Sequence, residues 1–383
     1  MPRSSVCAVS AVTVLVLALA GVAPARGASP VPPPPVLPAK SWVLLDAFSL
    51  RIIAGQNDAE RVEPASLTKL LTAYCVFHAL REGKLKLDQQ VPISERAWKA
   101  EGSRSFVAVG SRVPVDALIQ GMIVQSGNDA TIALAEAVAG SETTFTALMN
   151  QYSERLGLKG SHWTNSSGLP DPQHYSTARD IALLGAALIR EFPEYYKWYS
   201  QRSFTYNNIT QANRNGLLER DPTVDGIKTG HTEAAGYCLA SSALRDGMRL
   251  VSTVMGAASS KAREDASAAL LGYGFSFFES KRLFAAAQRV GSAQVYKVGD
   301  PVPVVLHADL YATAPRGELA GARSELRMQP RLVAPLAAGT AIGRLTVTVG
   351  DTVVAEASVY PASAVEPGNL YRRLVDSVRL WFS

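Results

Sequence analysis

Residues 63–74 read EPASLTKLLTAY, and they place a serine and a lysine three positions apart where an apolar helix begins. From Leu67 to Cys75 the apolar residues recur at i, i+3, i+4, i+7 and i+8, so this helix is predicted to pack against a core. Ser66 falls in the first turn, where backbone N–H groups lack intrahelical partners, and Lys69 rises on the same face. The helix dipole and desolvation both lower the pKa of a lysine here, which makes Lys69 a candidate base for Ser66.

The SxxK pattern is short and common, and taken alone it favours an N-cap serine followed by a surface lysine. Two further motifs change this interpretation. Ser126-Gly127-Asn128 interrupts a helical apolar pattern and, taken alone, indicates a helix junction capped by Asn128 or Asp129. Lys228-Thr229-Gly230 lies in DGIKTGHTEAAGY, which taken alone is typical of an exposed strand ending in a turn.

The three motifs stand in the order SxxK, SxN, KTG, and in this the chain resembles the active-site serine penicillin-binding proteins and the serine β-lactamases. It is most similar to the low-molecular-mass D-alanyl-D-alanine carboxypeptidases, and the similarity covers nearly all of the mature chain. The segments that carry it are PASLTKLLTAY, GSRSFVAVGSRVPVDALIQGMIVQSGNDATIALAE, NRNGLL, VDGIKTGHTEAAGYCLASS and a β-rich, amphipathic C-terminal part.

The fold class is predicted as α+β. Strand patterns near residues 41–55 and 204–258 enclose a mostly helical region, which indicates one antiparallel sheet flanked by helices with a helical lobe. The dipeptides Asp246-Gly247 and Gly350-Asp351 each predict a tight hairpin, the second within a small all-β domain. The expected segments are a signal peptide (1–28), a proline-rich tether (29–40), a catalytic domain (41–284), a β-rich domain (285–365) and an amphipathic membrane-surface helix (366–383).

The resemblance implies roles for the residues of the covalent step. Ser66 is the expected nucleophile that becomes an acyl ester, and Lys69 is the expected general base. Ser126 relays a proton to the leaving amine, and Asn128 holds Lys69 and the substrate amide. Water then hydrolyses the ester, and this chemistry needs no metal and no cofactor.

The same resemblance implies that the KTG strand binds the substrate. Lys228 supplies positive charge beside Ser126 and the terminal carboxylate, Thr229 hydrogen-bonds that carboxylate, and Gly230 completes the motif. The expected oxyanion donors are the backbone N–H groups of Ser66 and His231.

Two arginines help to fix the carboxyl end of the substrate in this family, and NRNGLL and SKARED place them at Arg214 and Arg263. Each is otherwise typical of a surface ion pair. The chain departs from the β-lactamase form of the second motif, since Gly127 stands where many of those enzymes carry Asp.

The resemblance therefore predicts a serine-type carboxypeptidase that removes the terminal D-Ala from peptidoglycan stem peptides and is acylated by β-lactams. A class A β-lactamase is disfavoured because NSSGLPDPQHYSTARD contains no glutamate to position the deacylating water. An endopeptidase that cuts D-Ala cross-links remains an alternative. A non-catalytic wall-binding module is disfavoured, since all three motifs are complete.

The first 28 residues are typical of a secretory signal peptide, with Arg3, an apolar run and small residues before a cleavage site; an uncleaved membrane anchor is the alternative. Cleavage after Ala28 removes two arginines and lowers the formal net charge from +5 to +3, too little to indicate a nucleic-acid partner. The scattered histidines form no metal motif. Cys75 and Cys238 are expected to be buried free thiols, although the sequence also allows them to pair.

The tail, NLYRRLVDSVRLWFS, is predicted to form an amphipathic helix. Its apolar side carries Leu370, Leu374, Val378, Trp381 and Phe382, and its polar side carries Arg372, Arg373, Asp376 and Arg379. It is too short to span a bilayer but is typical of a free helix that lies in the headgroup plane, and the alternative is a final helix packed on the β-domain. The chain is thus expected to be exported and to lie peripherally on the outer face of the cytoplasmic membrane.

Overall fold

The protein is described by a computed structural model that covers residues 31–381, without the side chains of residues 372 and 378–381. The predicted signal peptide and Phe382 lie outside the described residues, as do the side chains of Arg372, Val378, Arg379 and Trp381. The described chain forms two compact units, Val31–Phe278 and the part that begins at Glu279.

The first unit contains nine strands and nine α-helices. The strands are β1 (Ser41–Asp46), β2 (Ile52–Gln56), β3 (Gln90–Pro92), β4 (Arg112–Pro114), β5 (Ser203–Tyr206), β6 (Ile209–Ala212), β7 (Val224–Thr232), β8 (Gly236–Arg245) and β9 (Met248–Ala257). The helices are α1 (Lys69–Arg81), α2 (Glu95–Trp98), α3 (Val115–Val124), α4 (Asn128–Ala139), α5 (Glu142–Arg155), α6 (Ala178–Glu191), α7 (Pro193–Tyr196), α8 (Leu217–Arg220) and α9 (Ser260–Phe277). Short 3₁₀ helices cover Ala65–Thr68 and Lys197–Ser200.

The main sheet has the order β2-β1-β9-β8-β7, and all its pairings are antiparallel. Helix α6 packs on β1 and β9, and helix α9 packs on β8 and β9. Alternate residues of β1 enter different cores, with Val43 and Leu45 in one and Trp42 and Leu44 in the other. This two-residue period is that of a strand whose two faces are both covered, so the predicted α+β class is confirmed.

The two predicted hairpins form where the sequence places them. Asp246 and Gly247 both adopt positive φ between β8 and β9, as a two-residue hairpin turn requires. In the second unit β15 (Gly343–Val349) and β16 (Thr352–Pro361) pair around Gly350-Asp351.

The second unit is built on a five-stranded sheet and a two-stranded sheet around its own core. Besides β15 and β16 it contains β10 (Phe278–Phe284), β11 (Arg289–Ala293), β12 (Val302–Val305), β13 (Leu310–Pro315), β14 (Arg323–Met328), a 3₁₀ helix (Glu318–Gly321) and α10 (Leu370–Trp381). Sequence patterning placed the domain boundary after residue 284, but β10 pairs with β13. The strand therefore belongs to the second unit.

Two predicted end segments have contacts within their own units. Residues 31–40 run along the first unit, where Leu37 is buried and the Tyr273 hydroxyl donates to the Pro32 carbonyl at 2.9 Å. Helix α10 is not the free helix that the sequence favoured, because the Lys297 N–H donates to the Asp376 carboxylate at 2.7 Å. Within residues 31–381 no helix has the length and apolar character needed to cross a bilayer.

Candidate active site

The first motif lies at a 3₁₀ turn that leads into α1. Ala65 has φ +45 and Pro64 gives no side-chain cap, so Ser66 is not the N-cap serine of the alternative interpretation. Helix α1 itself begins at Lys69. The Lys69 ammonium donates to the Ser66 hydroxyl oxygen at 2.9 Å and to the Ser167 carbonyl at 2.7 Å. The predicted base and nucleophile are therefore in direct contact.

Lys69 is unusual among lysines because only 1% of its surface is exposed. Its pKa is lowered to about 7, mainly by burial and then by the nearby guanidinium of Arg214, while the Asp129 carboxylate opposes both effects. A lysine with this pKa exists in large part as the neutral amine at physiological pH, which a general base requires.

The second motif forms the junction between α3 and α4. Ser126 is buried with φ +64, and within residues 31–381 its hydroxyl has no hydrogen-bond partner. Asn128 donates its side-chain N–H to the Glu101 carbonyl at 2.6 Å, and its backbone N–H to the Ser103 carbonyl at 2.7 Å. The resemblance predicted that Asn128 holds Lys69, but in this structure Asn128 instead fixes residues 101–103.

The third motif lies on β7, which passes close to the 3₁₀ turn. A Cβ atom on Gly230 would lie 3.1 Å from the Pro64 carbonyl oxygen and 3.3 Å from the Ser66 nitrogen, so glycine permits the close approach. Lys228 is buried and donates to the Thr229 carbonyl at 3.1 Å. The His231 ring is exposed and lies 4.1 Å from the Tyr237 ring.

The motifs border one cavity of about 310 Å³, lined by Ser66, Gly102, Ser103, Ser126, Arg214, Thr229, Gly230 and His231. Lys69, Asn128 and Lys228 stand behind this lining. The surroundings of the cavity are cationic: burial lowers the pKa of Lys228 well below its usual value, and the charges of Lys69, Arg214 and Arg263 add to this effect. Such a site favours an anionic ligand group.

The two predicted arginines have different positions. Arg214 lines the cavity and donates to the Ser103 hydroxyl at 2.8 Å. Arg263 is buried and donates to the carbonyls of Gly230 and Cys238 at 3.2 and 3.4 Å and to that of Arg214 at 3.3 Å. Among residues 31–381 neither arginine forms a surface ion pair of the kind considered as the alternative. Arg263 supports β7, the strand that carries Lys228-Thr229-Gly230, through the main-chain carbonyl of Gly230.

Asp129 is a site residue that sequence reasoning treated only as a possible cap. It is fully buried, and its two oxygens accept the backbone N–H groups of Ser105 and Val107 at 2.8 and 3.3 Å. A Cβ on Gly127 would lie 2.0 Å from the Ser105 hydroxyl. An aspartate directly after the SxN motif was the sequence feature that could have indicated this role. Its carboxylate holds the loop that contains Ser105 and Val107, next to the cavity.

His174 is a second residue near the site that the sequence did not indicate, because an isolated histidine belongs to no motif. Its Nδ1 accepts the Thr164 N–H at 3.1 Å, so the proton lies on Nε2, which is 2.8 Å from the Thr68 hydroxyl. Thr68 in turn donates to the Ala65 carbonyl at 2.8 Å. Burial lowers the His174 pKa to about 4. The ring is therefore neutral at physiological pH, and its hydrogen bond to Thr68 supports the strained turn at Ala65, before Ser66.

The loop of residues 165–169 lies against the same turn. The side-chain Oδ1 of Asn165 accepts the backbone N–H groups of Ser167, Gly168 and Leu169, which orients the Ser167 carbonyl that binds Lys69. The Glu142 carboxylate contacts this loop from helix α5. One of its oxygens accepts hydrogen bonds from the Ser166 N–H and hydroxyl, and the other forms an ion pair with Arg96. The carboxylate that touches this loop is therefore already occupied.

Two further features concern metal ligands and cysteines in the part of the chain that the structure describes. No group of three His, Cys, Asp or Glu side chains there is arranged to hold a metal ion. Cys75 and Cys238 are both free and buried, and burial raises the pKa of each thiol.

Comparison with known proteins identifies what this chain is similar to. A family model described as D-alanyl-D-alanine carboxypeptidase matches residues 28–259, and one described as the C-terminal domain of penicillin-binding protein 5 matches residues 278–367. The D-alanyl-D-alanine carboxypeptidase DacA of Haemophilus influenzae is 40% identical over 90% of this chain and 89% of its own length. DacA of Escherichia coli K12 is 38% identical over 92% and 90%. The crystal structure of penicillin binding protein 5 from Haemophilus influenzae has a TM-score of 0.80, 40% identity, and coverage of 87% of this chain and 99% of its own.

Proposed function

The chain belongs to the D-alanyl-D-alanine carboxypeptidase family, and from this premise we propose how its own residues carry out the reaction. The enzyme is a serine hydrolase that removes the terminal D-Ala of peptidoglycan stem peptides and binds penicillin. The observation that carries the proposal is the buried Lys69, with its pKa near 7, 2.9 Å from the Ser66 hydroxyl.

Acylation begins when Ser66 Oγ attacks the carbonyl carbon of the penultimate D-Ala. Neutral Lys69 accepts the hydroxyl proton, and the backbone N–H groups of Ser66 and His231 stabilise the oxyanion. The peptide C–N bond then breaks. The Ser126 hydroxyl donates its proton to the departing amine and recovers one from protonated Lys69, so the amine leaves neutral and Lys69 returns to its neutral form. The unpartnered Ser126 hydroxyl supports this role, since no described group competes for it.

The terminal carboxylate is the feature by which the site selects its substrate. Arg214 and Thr229 line the cavity, and Lys228 adds positive charge from behind the strand. Arg263 acts through the strand as a positioning residue, because its hydrogen bonds go to main-chain carbonyls. Gly230 allows β7 to lie beside Ser66, and Asn128 holds the loop of residues 101–103 through its hydrogen bonds to Glu101 and Ser103. After D-Ala leaves, water hydrolyses the acyl ester.

We expect free D-Ala from a peptide ending in D-Ala-D-Ala, and no measurable release from the same peptide with an amidated C-terminus. Penicillin should form an ester with Ser66 that outlives the peptide acyl-enzyme, because Glu142 is engaged with Ser166 and Arg96 and the loop lacks a glutamate. Mass spectrometry of enzyme and products measures both.

A cross-linked dimer peptide, assayed in parallel, tests the endopeptidase alternative. Faster cleavage of that peptide than of the free D-Ala-D-Ala end would overturn the carboxypeptidase assignment. Clearance of penicillin at the rate of peptide hydrolysis would make the protein a β-lactamase.

The tail supports a second proposal, that the exported enzyme binds the membrane surface through α10. Leu370 and Leu374 are 72% and 63% exposed, and Tyr371 is exposed beside them. Exposed leucines at i, i+4 next to the basic Arg373 are typical of a helix that lies in the headgroup plane. Contacts at Lys297 attach this helix to the second unit.

We expect a chain that ends after Pro367 to lose binding to anionic vesicles and to keep its acylation rate with penicillin. This end point preserves the mutual backbone hydrogen bonds of Val365 and Leu336, so the second unit keeps its edge. Co-sedimentation with vesicles, with and without anionic lipid, provides the measurement. Equal sedimentation of the full-length mature and shortened proteins would refute the membrane role of α10.

A further inference from the structure

A second cavity lies in the second unit, where α10 meets the chain at Lys297. It has a volume of about 280 Å³ and is lined by Lys297, Leu370, Arg373, Leu374 and Ser377. Its lining therefore combines two cationic side chains with two leucines. That combination is absent from the cavity at Ser66, which has no leucine in its lining.

Two hydrogen bonds of the Lys297 backbone hold the two sides of this cavity together. The Lys297 N–H donates to the Asp376 carboxylate at 2.7 Å, and the Lys297 carbonyl accepts the Gly368 N–H at 2.7 Å. Both bonds use the backbone of Lys297, which has φ +69. The Lys297 side chain is thus free of these contacts, while its Cα stays fixed against the helix.

The cavity carries a surplus of positive charge. Within residues 31–381 neither the Lys297 ammonium nor the Arg373 guanidinium forms an ion pair with an acidic side chain. The acidic side chain in contact with Lys297 is Asp376, and one of its oxygens accepts the Lys297 backbone N–H. Two cations against one carboxylate favour an anion, and phosphate oxygens form charge-assisted hydrogen bonds with both lysine and arginine.

The two leucines decide which kind of anion fits. Leu370 and Leu374 lie one helical turn apart and are mostly exposed. A free phosphate ion would leave them in water. A phospholipid covers them with its acyl chains while its phosphate meets the two cations.

We propose that this cavity binds the headgroup phosphate of an anionic phospholipid, between Lys297 and Arg373, with acyl chains along Leu370 and Leu374. The proposal rests on the membrane role of α10 and adds a defined lipid site to it. Lys297 lies outside the helix, so its contribution is separable from the amphipathic character of α10.

The test compares Lys297→Gln with Arg323→Gln in the full-length mature protein. Each substitution removes one positive charge from the second unit, and Arg323 is an exposed residue of β14. We expect Lys297→Gln to raise the Kd for phosphatidylglycerol-containing vesicles about tenfold or more, the scale of a lost charged hydrogen bond. Arg323→Gln should change the Kd by about twofold or less. Lys297→Arg should retain binding, since it keeps the charge and the backbone contacts.

Two further arms separate the possible failures. If Lys297→Gln and Arg323→Gln bind alike while the chain ending after Pro367 does not bind, the lipid site is refuted and the membrane role of α10 stands. If the shortened chain binds like the full-length protein, both proposals fail. If inorganic phosphate binds the protein and Lys297→Gln weakens that binding while the Kd for vesicles stays unchanged, the cavity is a free-phosphate site and the proposal is overturned. An unchanged thermal unfolding curve of Lys297→Gln confirms that the second unit is folded, and unchanged penicillin acylation confirms the same for the first unit.

Discussion

Replacement of Ser66 by alanine is expected to abolish both covalent labelling by penicillin and release of D-Ala. The hydroxyl oxygen forms the ester bond itself, so no neighbouring group replaces it. Loss of the nucleophile from a serine hydrolase lowers kcat by a factor on the order of 10⁶. Intact-mass spectrometry after incubation with penicillin, together with an assay of free D-Ala, measures the two effects.

Ser167→Ala is the matched control for this variant. Ser167 is buried next to Lys69, but it holds Lys69 through its backbone carbonyl, which alanine retains. Its own hydroxyl makes a long 3.4 Å hydrogen bond to Asn165, so labelling should persist. Labelling of Ser66→Ala at the wild-type rate would place the nucleophile elsewhere.

The second large effect is expected at Lys69. Only the neutral amine accepts a proton, and burial together with the Arg214 charge lowers the Lys69 pKa to about 7. The value of kcat/KM should therefore rise with pH through a limb centred near pH 7, where the ammonium of the free enzyme loses its proton. Lys69→Ala should lower the acylation rate roughly 10²-fold or more and remove this limb.

Two variants distinguish a base from a simple positive charge. Lys69→Arg keeps the charge but does not deprotonate in proteins, so it should be as inactive as the alanine variant. Arg214→Gln removes a cation that lowers the Lys69 pKa, and the limb should move to higher pH whatever happens to KM. A Lys69→Ala enzyme that retained the limb would move the base to another group.

Local spacing explains what the sequence predicted well. The two hairpins were readable because the turn dipeptides Asp246-Gly247 and Gly350-Asp351 separate alternating strands, and Asp246, Gly247 and Gly350 adopt the positive φ that such turns need. The motif residues were readable because each motif is contiguous and the order of the three is distinctive. The boundary at β10 was missed because its strand pairs with β13, about 30 residues onward, and residue patterns do not identify a strand's partner.

The remaining features depend on contacts between distant parts of the chain. Lys69 and Ser167 are 98 positions apart, and Thr68 and His174 are 106 apart, so no local pattern reports either contact. The helix dipole predicted the right direction for the Lys69 pKa, but burial is the main cause of the shift, and burial exists only after α1 has packed. The sequence by itself thus determined the family, the sheet and the three motifs. Tertiary structure alone decided the charge state of Lys69, the hydrogen bonds by which Asp129 holds the loop at Ser105, the support of the turn by His174, and the contact of α10 with Lys297. Desolvation and hydrogen-bond geometry arise from neighbours that only folding brings together.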